Sequence, residues 1–70
     1  MVTYKMRSND WISAPGMVAW AKHFYKSPSD RANVLNVIMA GWNIPEEAAH
    51  ALLSGKIKFA VEGEVVIFDA

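Results

Sequence analysis

Two histidines and a few carboxylates are the residues of this chain whose types could support chemistry. His50 follows Glu46 by four residues in a segment with helical periodicity, so their side chains share one helix face, where both could ligate a metal. Two ligands do not make a metal site, and no third donor stands at a recognisable spacing. We therefore expect a helix-surface pair, and we expect His23 to be an ordinary surface residue.

The remaining carboxylates also have structural explanations. Glu46 and Glu47 open a predicted helix, where the helix dipole favours anions, and Glu62 and Glu64 flank a predicted hairpin turn. There is no cysteine nucleophile and no glycine-rich phosphate loop. We predict that the chain is not an enzyme and holds no metal or cofactor. The alternative, a metal-dependent hydrolase that uses Glu46 and His50, predicts bound metal in the purified protein.

The composition indicates one small domain, residues 1–70, with more apolar surface than it can bury. Of its 70 residues, 53% are hydrophobic, and a domain of this size buries only about 60% of the surface its unfolded chain exposes. The absence of cysteine favours a reducing compartment, and the first ten residues do not resemble a signal peptide. The longest apolar-rich stretch, 32–45, is shorter than the roughly 20 residues that span a bilayer. We expect a soluble, cytoplasmic protein with no membrane partner.

Charge is divided unevenly along the chain, although the net charge is zero. Residues 1–31 hold five cations and two acids, for a net +3, whereas residues 32–70 hold two cations and five acids, for a net −3. The N-terminal half is therefore basic and the C-terminal half acidic.

The hydrophobic pattern up to the first helix predicts a strand, a loop and a helix. Residues 2–7 alternate with the period of a half-buried strand. We expect Trp11 and Ile12 in the following loop to be tucked against the domain. Ser13 is a suitable N-cap for a first helix that ends near Lys26. Its predicted buried stripe consists of Met17, Trp20, Ala21 and Phe24.

Two more helices follow. Ser27 as N-cap, with Pro28 at the first helical position, predicts a second helix that runs to about Ala40 and stops at Gly41. This helix is apolar over most of its circumference, as expected of a central helix or one that meets a partner. Asn43 is the predicted cap of a third helix over 44–54, which ends at Gly55. The predicted buried side of the third helix is Ala48, Ala49, Leu52 and Leu53.

Beyond Gly55 the periodicity changes to two, which predicts a β-hairpin. A two-residue turn at Glu62-Gly63 pairs Val61 with Glu64, and a three-residue turn exchanges the two faces of the last strand, so the register stays open. Because the last strand is apolar on both faces, its far face needs a cover. The predicted fold is α+β, with three helices packed on one face of a small three-stranded sheet in the order β-α-α-α-β-β.

Residues 28–69 resemble a winged helix-turn-helix in topology, with Gly41-Trp42-Asn43 as the turn. The resemblance implies a DNA-binding transcriptional regulator whose third helix reads the major groove. The charges argue against it, because that helix presents Glu46 and Glu47 and the wing presents two more glutamates toward phosphate. If nucleic acid binds, the more suitable surface is the basic one, formed by Lys5, Arg7, Lys22, Lys26 and Arg31 with Tyr4 and Tyr25 nearby.

Protein recognition is the function that these patterns favour most. We expect Trp20, Leu35, Ile38, Leu52 and Phe59 to be core residues. Trp11, Tyr25 and Trp42 each stand near an element end and belong to residue types that concentrate at binding hot spots. The expected function is therefore a small protein-binding module that regulates or inhibits a larger assembly, of the regulatory or anti-defence kind that phages and plasmids encode, or one that self-associates. The basic residues of the N-terminal half are expected to orient the partner.

Overall fold

A three-stranded antiparallel sheet carries three helices on one face in the computed structural model, which describes residues 1–70. The elements are β1 (Thr3–Arg7), α1 (Ala14–Tyr25), α2 (Arg31–Trp42), α3 (Glu46–Leu53), β2 (Phe59–Glu62) and β3 (Val65–Asp69). The predicted α+β fold and its element order are confirmed.

The last strand of the chain, β3, lies in the centre of the sheet, between β1 and β2. Met6 pairs with Val66, which also pairs with Val61, and this row faces the helices. Ile67 lies between Lys5 and Ala60 on the opposite face, where it is half-buried. Side chains of the two neighbouring strands therefore shield part of the helix-free face of β3, which was expected to need a cover.

The hairpin register differs from both predicted registers. Glu62 pairs with Val65, so the two turn residues are Gly63 and Glu64. Gly63 has φ +61° and Glu64 does not have positive φ, which is the pattern of a type II′ turn with glycine first. This register directs Val66 and Phe68 into the core. The turn forms one residue later than the sequence alone indicated, because the glycine is required at its first position.

The first helix has the predicted cap but buries a different face. The Ser13 hydroxyl accepts a hydrogen bond from the backbone of Gly16, as expected of an N-cap. Ala14, Val18 and Ala21 are the residues that α1 buries, with Tyr25 half-buried on the same side. The prediction that Trp20 is a core residue is wrong. The small side chains at positions 14 and 21 let the helix approach its neighbours closely, and the bulky aromatic residues turn outward.

The second helix starts and ends later than predicted. Ser27 does not cap it; the Ser27 carbonyl accepts bonds from Asp30 and Arg31 in a tight turn, and α2 begins after that turn. At the other end α2 continues through Gly41 to Trp42, and Asn43 takes the left-handed conformation with φ 54°. Asparagine tolerates this conformation, so it ends α2 in place of the glycine.

The third helix begins at Glu46, with Pro45 as its N-cap, because Asn43 is used to end α2. The buried side of α3 is as predicted: Ala48, Ala49, Leu52 and Leu53. Gly55 follows with φ +81°, which confirms the predicted end of the helix.

The core is formed by 14 apolar residues drawn from the helices, the sheet and the α2–α3 turn, and no polar side chain is buried. Leu35, Ile38 and Leu52 belong to it as predicted, and Phe59 is half-buried against it. None of the three helices is long and apolar enough to cross a membrane.

Candidate functional site

Tyr25, His50 and Glu46 form a chain of polar contacts between α1 and α3. The Tyr25 hydroxyl lies 2.7 Å from Nδ1 of His50, and Nε2 of His50 lies 3.6 Å from a carboxylate oxygen of Glu46. When the hydroxyl donates to Nδ1, the imidazole carries its hydrogen on Nε2, which faces the carboxylate. The predicted Glu46–His50 surface pair is therefore present, and the sequence did not indicate that Tyr25 extends it.

Tyr25 is also held from the side of α2. The Arg31 guanidinium lies 4.8 Å from the centre of the tyrosine ring, and Arg31 Nε donates to the Tyr25 backbone carbonyl at 3.0 Å. Two sequence-predicted binding residues thus contact each other at the junction of the three helices. Their contacts are within the chain, and they hold the end of α1. No group of three or more His, Cys, Asp and Glu residues is placed to hold a metal ion.

Trp11 projects from the loop between β1 and α1 and is 93% exposed. The prediction that it is tucked against the domain is wrong. The loop backbone is fixed by Asn9, whose side-chain oxygen accepts bonds from the amides of Trp11 and Ile12, each at 2.8 Å. This Asx-type turn uses the local donors and directs the indole away from the protein.

The same loop is anchored to the hairpin tip. Ser8 Oγ accepts from the Ala14 amide at 2.7 Å and lies 2.8 Å from the Glu64 carbonyl and 3.1 Å from its carboxylate. Ser13 Oγ donates to the same carboxylate at 3.3 Å. The predicted role of Glu64, a solvated residue at a hairpin tip, therefore omits its function of placing a negative charge at the start of α1.

Trp20 and Phe24 are exposed on α1, with 39% and 37% of their surface accessible. Their rings lie 5.5 Å apart, and the His23 ring meets Phe24 edge-on at 5.0 Å. We use the name aromatic surface for three exposed residues, Trp11 on the loop before α1 and the Trp20–Phe24 pair on α1 itself. The sequence contained its signal: Ala14, Val18, Ala21 and Tyr25 form a second stripe at helical spacing, and if that stripe is buried, the aromatic residues are left outside.

Comparison with protein-family models, curated proteins and solved structures finds no match to this chain.

Trp42 is half-buried and lies against the end of β1. Its indole Nε1 donates to the Arg7 carbonyl at 2.9 Å. Ladder bonds between β1 and β3 join Val2 to Ala70 and recur at every second residue, so the Arg7 carbonyl points away from the sheet. Trp42 therefore covers part of the free edge of β1.

The predicted basic surface is divided between separate parts of the molecule. Lys5 and Arg7 lie on the helix-free face of β1, at one edge of the sheet. Lys22 lies at the other edge, with its ammonium 5.3 Å from the centre of the Phe59 ring on β2. Lys26 follows α1 at its C-cap, and Arg31 stacks on Tyr25. Tyr4 faces the helices and stacks on Phe68. The five cations therefore do not form one continuous patch.

A cavity of about 340 Å³ opens between α3 and the end of the sheet where β1 begins and β3 ends. Tyr4, Ala48, Ala51 and Ile57 supply apolar walls, and a few charged residues stand among the lining residues. Its volume is at the lower limit of common ligand pockets. Its charged lining residues are Glu47, Lys56 and Asp69, and no ion pair joins them.

The exposed apolar surface is not where the sequence placed it. The outer side of α2 consists of small or polar residues: Ala32, Asn33, Asn36, Ala40 and Gly41. The predicted surplus on that helix is mostly buried. The large exposed apolar side chains beyond the aromatic surface are Met1, Val2 and Val61. The feature best suited to bind another molecule is therefore α1 with the loop before it.

Proposed function

We propose that this chain is a protein-binding module without catalytic activity, which regulates or inhibits a larger macromolecular assembly and contacts it through the aromatic surface. The observation that carries the proposal is the exposure of Trp11 on a loop whose backbone is fixed by hydrogen bonds. Because the backbone that carries the indole is already ordered, only the side-chain torsions of Trp11 have to be fixed when it enters a partner's pocket.

The energetics of the aromatic surface support this role. Burial of a large apolar side chain is worth about 1.5–3 kcal/mol, which the free protein does not obtain for Trp11. Tryptophan is also among the residues most enriched at binding hot spots. Trp20 and Phe24 follow on the adjoining helix and extend the contact area.

The charges on α1 indicate the chemistry of the partner. His23 and Lys26 are exposed on or beside the last turn of this helix, whereas the carboxylate of Glu64 lies at its start, near the Trp11 loop. A protein with an apolar pocket for Trp11 and acidic groups opposite the last turn of α1 fits such a surface, since complementary charge speeds docking. We include a cytoplasmic location in the proposal, which the cysteine-free sequence supports.

Affinity capture from cells that encode the chain tests the proposal, with wild type, Trp11→Ala and Asn36→Ala compared by quantitative mass spectrometry. Asn36 is exposed on α2, away from α1, and is the control. We expect one protein to be enriched with wild type and the control, and its recovery at limiting bait to fall about tenfold or more with Trp11→Ala. Equal recovery with all three baits, or no enriched protein, contradicts the proposal.

The winged-helix alternative predicts binding to duplex DNA. Its reading helix is α3, whose first turn exposes Glu46 and Glu47, and its wing tip exposes Glu62 and Glu64, so its electrostatic support is weak. A gel shift of pooled duplex DNA at low salt and about 100 μM protein separates the two functions, because non-specific DNA binders typically reach 10⁻⁴–10⁻⁶ M. A shift at that concentration would favour the alternative.

A further inference from the structure

The edge of β2 has backbone groups that no other part of the chain pairs. Along an antiparallel strand, successive residues direct their backbone hydrogen bonds to opposite sides. In β3, Val66 and Phe68 bond to β1, so the residues between and beside them bond to β2. Ala60 and Glu62 therefore bond to β3, while the amides and carbonyls of Phe59 and Val61 point outward. Val61 is 49% exposed, so this edge also has an uncovered apolar side chain.

The other edge of the sheet is less suited to pairing. Trp42 already occupies the outward carbonyl of Arg7 on β1. Lys5 and Arg7 lie on the outer face of that strand with no acidic residue between Thr3 and Arg7. Two copies of β1 placed side by side would bring like charges together, which destabilises cross-strand pairs.

The sequence of β2 is complementary to itself when read in the antiparallel direction about Ala60. Lys58 and Glu62 lie two residues to either side of it, and Phe59 and Val61 lie one residue to either side. We propose that two copies of this chain pair antiparallel through β2, with Ala60 opposite Ala60 of the second copy. Each Lys58 then faces Glu62 of the other copy on the helix-free side of the sheet.

The same register gives hydrogen-bond partners to the outward backbone groups and brings the exposed apolar side chains into contact. Phe59 becomes hydrogen-bonded to Val61 of the second copy, so the four outward groups of each strand find partners. The phenyl ring and the valine methyl groups meet on the helix side. A shift of two residues in one direction places Ala60 opposite Lys58 and Glu62 opposite Lys56, which lies in the turn before β2. A shift in the other direction places Lys58 opposite Glu64, whose carboxylate already accepts hydrogen bonds within the chain. Only the register centred on Ala60 pairs the two charges that flank the strand, so the charge pattern favours it.

The pairing is two-fold symmetric and therefore closed, so it yields a dimer with a six-stranded sheet and no larger species. Two strands of four residues cover less area than the roughly 1,600 Å² of a standard interface. We therefore expect a reversible dimer that dissociates on dilution. The inference is independent of the proposed function, because the aromatic surface does not include β2.

Sedimentation over about 10–500 μM protein tests the dimer and its register through charge reversal. Lys58→Glu and Glu62→Lys each put like charges across the pair, so each variant alone is expected to be monomeric. An equimolar mixture of the two variants restores both opposite-charge pairs and is expected to form a heterodimer. Lys5→Glu reverses a charge on the other edge strand and should dimerise as wild type does.

A single introduced cysteine gives a second, structural readout, because the natural chain has none. Facing residues at a non-hydrogen-bonded position have Cα atoms about 4.5 Å apart, within the range that a disulfide spans. Ala60→Cys is expected to form a disulfide-linked dimer under mild oxidation. Ala40→Cys, exposed on α2, is the control and should stay largely monomeric.

Either of two results would overturn the dimer. One is a monomeric wild type across the concentration range; the other is equal cross-linking of the two cysteine variants. A dimer that survives both charge reversals, a mixture that stays monomeric, or growth beyond two copies would overturn the register. Circular dichroism checks that each variant is folded. If a charge-reversal variant is unfolded, the cross-linking of Ala60→Cys compared with Ala40→Cys decides between the outcomes.

Discussion

The phenolic oxygen of Tyr25 lies 2.7 Å from Nδ1 of His50, and this hydrogen bond joins the end of α1 to α3. The two residues are 25 positions apart, so the contact depends on the packing of all three helices. The aromatic surface lies on α1, and the junction at Tyr25 is one of the two places where the ends of that helix are fixed.

Removal of the Tyr25 hydroxyl should destabilise the fold. Tyr25→Phe keeps the ring beneath Arg31 but leaves the half-buried imidazole without its partner, so we expect a loss of about 1 kcal/mol in the free energy of unfolding. Urea unfolding followed by circular dichroism measures it. Tyr4→Phe is the matched control, because the Tyr4 hydroxyl makes no hydrogen bond within the protein; equal losses for both variants would contradict the role of the contact.

The other end of α1 depends on Ser8. Ser8→Ala removes the acceptor of the Ala14 amide and the link to Glu64, so we expect a loss of about 1–2 kcal/mol. Thermal unfolding should show a lower midpoint, whereas Ser29→Ala, at an exposed position in the α1–α2 turn, should change stability by less than about 0.5 kcal/mol. Wild-type stability of Ser8→Ala would mean that water replaces the hydroxyl without loss.

Two glycines should respond in opposite directions to alanine. Gly41 lies inside α2 and a Cβ there meets no atom within 4 Å, so Gly41→Ala should stabilise the protein by about 0.5–1 kcal/mol. Gly55 has φ +81°, which a residue with a Cβ adopts at a cost of about 1–2 kcal/mol, so Gly55→Ala should destabilise it. Denaturant unfolding measures both effects: the midpoint of Gly41→Ala should be higher than that of the wild type, and the midpoint of Gly55→Ala should be lower. A destabilised Gly41→Ala would indicate that α2 ends at Gly41, as the sequence alone predicted.

The exposure of Trp11 should be visible in fluorescence. Because its indole is almost fully in water, Trp11→Phe should remove the emission component that iodide quenches most readily. The same substitution breaks no buried contact, so the free energy of unfolding should change by less than about 0.5 kcal/mol. Trp42→Phe should retain the quenchable component; loss of that component in Trp42→Phe instead would reverse the assignment.

The fold could be predicted from local patterns wherever one pattern was unambiguous. Period-two alternation predicted β1, and the apolar stripe of α3 predicted the four residues that this helix buries. The sequence of α1 held two overlapping apolar stripes, and hydrophobicity favoured the one with Trp20 and Phe24. Close packing favoured the stripe with alanines at positions 14 and 21, which a count of apolar residues does not reveal.

The candidate site was less predictable because it depends on contacts between distant residues. Tyr25 and Trp42 were selected by residue type, but the bonds that each makes, to His50 and to the Arg7 carbonyl, follow from tertiary packing. The hairpin register depended on which residue takes the first position of the turn, a choice between Glu62 and Gly63 that conformational freedom decided. Trp11 is exposed because Asn9 binds the loop backbone, which hydropathy cannot indicate.

Site-specific photo-crosslinking in cells that encode the chain tests the proposed function most directly. A photoreactive amino acid replaces Trp11 in one variant, Phe24 in a second and Asn36 in a third, and adducts are identified by mass spectrometry. The proposal predicts one protein joined to positions 11 and 24 and no adduct at position 36. The absence of an adduct at position 11, or the same adducts at all three positions, would contradict it.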